Sequence, residues 1–148
     1  MSVVESRWRQ RQSRSEDGIY FGTDDFIELC GTPGEGYRAD VRAPVVLLLQ
    51  SAPHGWTDLD ETCSAQAGDY TLFAGSTSWE GAGFVAVEQR SSGRLLWLLH
   101  LADAEQFTEI SARGETIHAI SEEYPFRSEW RVPIHSPESF TVTQIRNP

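Results

Sequence analysis

The chain has 148 residues and is acidic, with 22 Asp and Glu against 12 basic residues and a formal net charge of −10. Every basic residue is Arg, which excludes chemistry built on a lysine, such as Schiff bases, the P-loop lysine and the kinase lysine. Five Trp, seven Phe and four Tyr within a 39% apolar share exclude a disordered chain and suffice for one domain with a core.

The N-terminal segment is the basic part. Arg7, Arg9, Arg11 and Arg14 against Glu5 leave residues 1–14 at +3, so the remainder carries −13. Residues 1–18 read as a basic arm, frayed or forming a short helix with Val3, Val4 and Trp8 on one face, ahead of a single β-rich domain at 19–148. The arm has no apolar stretch of the kind a signal peptide needs. A domain of this sign repels nucleic acid, whose binding is dominated by phosphate neutralisation.

From Ile19 onward the texture predicts strands. Residues 19–21 and 26–30 are short strands broken at Gly31-Thr32-Pro33-Gly34, and residues 37–42 alternate up to Pro44. Residues 45–49, Val-Val-Leu-Leu-Leu, read as a strand buried on both faces. The polar segment 51–68 follows, with a helical turn expected around residues 59–66. Residues 70–74, 84–89 and 94–101 are strands, the last two joined by Ser91-Ser92-Gly93. Residues 107–112 and 116–121 are joined by Arg113-Gly114-Glu115, and residues 128–132 and 140–145 complete the set. Leu95, Trp97, Leu99 and Leu101 alternate with Leu96, Leu98 and His100, marking residues 94–101 as the central strand. The pattern predicts an α+β fold with β dominant: an antiparallel meander carrying one or two short helices, with an all-β sandwich or barrel as the alternative.

The apolar runs at 45–49 and 95–101 fall short of the ~20 residues that cross a bilayer. Two cysteines, Cys30 and Cys63, fit free thiols in a reducing compartment. Together these features predict a soluble protein of the bacterial cytoplasm, with no membrane partner.

Three segments carry candidate chemistry. Asp58-Leu59-Asp60-Glu61-Thr62 resembles the DxDxT motif of the haloacid dehalogenase phosphatases, in which the first Asp is the nucleophile and the second the acid/base. That motif follows a buried parallel strand directly, whereas here Gln50 to Thr57 intervene with Pro53 and Gly55, and the family's helix-alternating strands are not visible. The segment therefore reads as an acidic loop or helix start, where carboxylates suit the dipole. His100, Asp103 and Glu105 lie within six residues, but His54, His118 and His135 are scattered and complete no ligand set, so no metal and no cofactor is expected. The loop Gly75-Ser76-Thr77-Ser78-Trp79-Glu80-Gly81-Ala82-Gly83 precedes a strand rather than the helix a phosphate cradle needs; it offers Trp79 as a contact or as a core residue. No spacing pairs a nucleophile with a base, so no enzyme is expected.

The acids cluster beside aromatics in residues 122–130, Glu-Glu-Tyr-Pro-Phe-Arg-Ser-Glu-Trp. An acidic rim around an aromatic anchor captures a basic partner quickly and retains it. The sequence thus predicts a small acidic binding protein, most concretely an immunity-type inhibitor that occludes a basic toxin or effector. Glu122, Glu123, Tyr124, Glu129 and Trp130 are the first contact residues, followed by Asp58, Asp60, Glu61 and Trp79. A small-ligand sensor with a pocket beside Trp97 and His100, or an enzyme built around His100 or His118, are the alternatives.

Overall fold

In the computed structural model, residues 1–78 and 81–147 are described, with the side chain of Glu123 left aside. The chain opens with α1 (Val3–Arg9) and β1 (Gln12–Arg14), then β2 (Gly18–Phe21), β3 (Asp25–Thr32), β4 (Gly36–Pro44) and α2 (Val46–Ser51). The long strand β5 (Trp56–Ala67) leads into β6 (Tyr70–Thr77), β7 (Gly83–Gln89) and β8 (Arg94–Leu101). The strands β9 (Phe107–Arg113), β10 (Thr116–Glu123), β11 (Phe126–Pro133) and, after a short 3-10 turn, β12 (Thr141–Arg146) follow. The fold is β-dominant and antiparallel with two short helices, and its sheets do not close into a barrel.

Two sheets form. The larger has eight strands in the order β1-β5-β6-β7-β8-β2-β3-β4, and the smaller has four in the order β12-β11-β10-β9. They pack face to face over one core, in which Leu72, Val85, Trp97 and Leu99 of the larger sheet meet Phe107, Ile117, Trp130 and Val132 of the smaller. The opposite face of the larger sheet carries a second core, where Val4 and Trp8 of α1 and Val45 before α2 cover Tyr20, Phe84, Leu95 and Leu98. Strand β8 lies between β7 and β2 with both faces covered, so its unbroken apolar run is the central strand that the sequence suggests.

The glycine-bearing turns fall where expected. Gly93 and Gly114 take φ of 69° and 59° in the β7–β8 and β9–β10 hairpins, a region open to glycine at little cost.

Several expectations are corrected. Residues 45–49 do not make a strand: Val45, Leu48 and Leu49 stand at helical spacing towards the second core, while Val46 and Leu47 are exposed. A short apolar run has no period of its own, and here β4 ends at Pro44 and the Val45 amide is captured by the Asp24 carbonyl at 2.8 Å. The helical turn expected at 59–66 is instead part of β5, where buried Thr57 and Leu59 alternate with exposed Asp58 and Asp60. Leu95 does not share a face with Trp97, because a bulge between Val87 and Glu88 shifts the register and sends Leu95 to the helix-covered side. Gly75, Ser76 and Thr77 belong to β6 rather than to a loop.

The N-terminal segment is built into the fold. Ser2 Oγ accepts from the Glu5 amide, and the Asp24 carboxylate accepts from the amides of Val3 and Val4, both at 3.0 Å, so one residue from a distant turn caps the helix. Trp8 is buried and its Nε1 donates to Glu88 at 2.8 Å, whereas Val3 is partly exposed and lies off that face. Strand β1 pairs with β5 from Gln12↔Asp58 to Arg14↔Trp56. No described helix is long and apolar enough to cross a membrane.

Candidate functional site

The β10–β11 hairpin carries five of the sequence-predicted contacts and separates them by strand alternation. On β11 Ser128, Trp130 and Val132 point inward, while Arg127, Glu129 and Arg131 point out. Trp130 is 1% exposed; its ring packs on Phe107 at 5.5 Å and on Phe140 at 5.9 Å, and its Nε1 donates to Ser121 Oγ. It is a core residue and not a surface anchor, which corrects its assignment as a contact.

Glu122 and Glu129 lie on the outer face but flank Arg127, at 3.6 and 3.7 Å, so the two carboxylates are partly neutralised. The exposed aromatics of this hairpin are Tyr124 in the turn, 84% exposed, and Phe126, 40% exposed. The backbone of Glu123 pairs with Phe126, while its side chain lies outside the described residues.

The β5 acids divide as well. Asp58 accepts from Gln12 Nε2 at 3.1 Å and Glu61 meets Arg11 at 3.5 Å, while Asp60 has no ion pair among the described residues. The register bulges between Glu61 and Cys63, and beyond it Cys63, Ala65 and Ala67 pack against the inter-sheet core. Thr62 Oγ1 donates to the Phe107 carbonyl at 2.8 Å, which fixes where β9 begins against β5. Asp58 and Asp60 precede that point on β5; Glu122 and Tyr124 follow the Ser121↔Phe107 pair on β10. Both groups therefore run out past the same Phe107 end of the smaller sheet. Close approach at this end depends on glycine: a Cβ on Gly83 would stand 2.2 Å from the Glu105 carbonyl and inside 3 Å of the Phe107 ring. Trp79 lies outside the described residues.

Titratable groups beneath this end feel one another. Asp17 accepts from the Ala102 amide at 2.7 Å, yet burial and the neighbouring Asp103 raise its pKa. The Tyr37 hydroxyl is pushed up by burial and by both acids. His100, 1% exposed, titrates at about 4 because burial disfavours its cation more than the nearby Glu16 backbone and carboxylate favour it; neither ring nitrogen makes a well-formed hydrogen bond. Among the described residues no three His, Cys, Asp or Glu side chains converge as metal ligands, and Cys30 and Cys63 are free thiols.

Sequence reasoning misses a second surface. The outer face of the smaller sheet is a groove of about 410 Å³ lined by Glu109, Ser111, Arg113, His118, Ile120, Arg127, Glu129 and Arg131. Its members come from three strands and meet only through register, with His118 directly opposite Ser111 on one side and Arg131 on the other. Family models, curated proteins and solved structures were all compared with this chain, and none matches it.

Proposed function

We propose that this chain is an acidic protein-binding domain, an immunity-type inhibitor that captures a basic toxin or effector and occludes its active surface. The observation that carries the reading is the exposed Tyr124–Phe126 tip of the β10–β11 hairpin with Glu122 beside it, at the Phe107 end of the smaller sheet past which Asp58 and Asp60 of β5 also run. An aromatic anchor with carboxylates around it supplies buried contact area and long-range attraction together. The net charge of −10 adds a field that speeds encounter with a cation and weakens with salt. With Trp130 in the core, Tyr124 and Phe126 are the aromatic anchors, and Asp60 and Glu122 supply the steering charge. The mechanism needs no cofactor: the domain covers the partner's basic site and excludes its substrate.

The test is association of the basic partner, once captured from cells of the native host, with the wild-type chain and with a double Asp60→Arg, Glu122→Arg variant. The double reversal is expected to slow association by on the order of tenfold or more at low salt and to abolish inhibition of the partner. Unchanged association and inhibition would falsify the reading.

A further inference from the structure

We propose that the outer groove of the four-stranded sheet binds a small oxyanion, a carboxylate or phosphate group, seated between Arg113, His118 and Arg131. This inference stands apart from the inhibitor reading, since it concerns a different face and the opposite charge. Ser111, His118, Arg131 and Thr141 form one row across all four strands, each directly opposite the next, and Arg113 is paired with Thr116, two residues from His118 on the same face. Neighbours in such a row stand about 5 Å apart, close enough for one anion to touch several of them.

Of the groove's lining, Ser111, His118 and Arg131 of this row together with Arg113 supply one hydroxyl, one imidazole and two guanidiniums, all capable of donating to an oxyanion. Arg127 at the far end of the groove is flanked by Glu122 and Glu129, whereas Arg113 and Arg131 make no ion pair or side-chain hydrogen bond among the described residues. The field they create reaches His118, whose pKa is lowered by burial and by both guanidiniums against the opposing pull of Glu129. An anion placed there relieves that repulsion. The next row, Glu109, Ile120, Glu129 and Thr143, places carboxylates about 7 Å along the strands, so a ligand with an amine or hydroxyl at that distance from its anionic group gains a second contact. A groove of about 410 Å³ suits a small molecule rather than a polymer.

The proton linkage has a definite sign. Protonated His118 adds a third positive charge beside Arg113 and Arg131, with Ser111 and Thr141 neutral and Glu109 and Glu129 one row away. Oxyanion affinity therefore rises as pH falls through the His118 midpoint, and a bound oxyanion raises that midpoint.

The experiment is an NMR titration of the four histidines with inorganic phosphate and, separately, with acetate, at constant ionic strength held with chloride. His118 is assigned by its loss in His118→Gln. Expected is a saturable upward movement of the His118 midpoint with at least one probe, with none at exposed His54. Each of Arg113→Ala and Arg131→Ala should weaken binding by on the order of tenfold, with unchanged circular dichroism showing the sheet intact. The relative response to the two probes distinguishes a phosphate ligand from a carboxylate one. A His118 midpoint indifferent to both probes overturns the proposal, as does an equal response at His54 or in the double alanine variant. Binding of RNA with no response to either probe also overturns it.

Discussion

Trp130 Nε1 donates to Ser121 Oγ at 2.9 Å, a diagonal bond across β10 and β11 on the side facing the larger sheet. It joins the most aromatic part of the core, where Trp130 touches Tyr37, Phe107 and Phe140, to the hairpin whose tip is the proposed anchor.

Ser121→Ala leaves a buried indole N–H without its acceptor and is expected to cost about 1–3 kcal/mol, read as a lower urea midpoint. Trp130→Ala empties a large core site and should cost about 3–5 kcal/mol. Tyr124→Ala, at an exposed turn, should leave the midpoint nearly unchanged while weakening partner binding. Equal destabilisation by Tyr124→Ala and Ser121→Ala would contradict this division of roles.

This pair also shows where the sequence is legible. Residues 122–130 read as one acidic and aromatic patch, but period-2 alternation puts Glu129 and Trp130 on opposite faces, so a contiguous run cannot form a single surface. The hairpins at Gly93 and Gly114 are readable because their turn chemistry is local, and the two-sided burial of β8 is readable from its composition. The α2 helix was not readable, because five apolar residues fit a strand or a helix equally and tertiary contact at Val45 decides. The row Ser111, His118, Arg131 and Thr141 was beyond reach, since only strand pairing brings together residues thirty positions apart.

Asp24 holds φ of 66° and caps α1 from outside the helix, with its two carboxylate oxygens accepting from Val3 and Val4. Asp24→Ala should cost about 1–2 kcal/mol, from the lost cap and from a side chain less tolerant of the left-handed region. Asp24→Asn, which suits that region and retains an acceptor, should recover most of the loss. Thermal unfolding of the two variants checks this, and equal losses would contradict the capping role.

His100 makes stability fall on the acid side. Its pKa is about 4 in the folded chain against an ordinary 6.5, so between those values the unfolded chain binds a proton that the folded chain refuses. The stabilising contribution is present above pH 6.5 and is lost as pH falls towards 4, by about 3 kcal/mol in all. Asp17, whose pKa is raised, opposes part of this at low pH. His100→Leu removes two buried nitrogens without well-formed hydrogen bonds and should be near neutral or stabilising at pH 7, with a flatter urea midpoint between pH 6.5 and 4. A variant as acid-sensitive as the wild type would contradict the assignment.

The two thiols should react at different rates. Cys30 is exposed, whereas Cys63 is half-buried and its pKa is raised by burial and by Glu61 and Glu109. At pH 8 a disulfide reagent should modify one thiol rapidly and the second slowly, and Cys30→Ser should leave only the slow phase. A single fast phase of two thiols would show Cys63 to be open.

Capture of a basic protein through the Tyr124 tip and nearby acids is read by affinity capture from host-cell lysate with the tagged chain, at low and at high salt, beside the Tyr124→Ala, Asp60→Arg variant. One stoichiometric basic protein is expected, held at low salt, weakened at high salt and lost from the variant. Capture of no protein at either salt, or of one held equally by the variant, would contradict it.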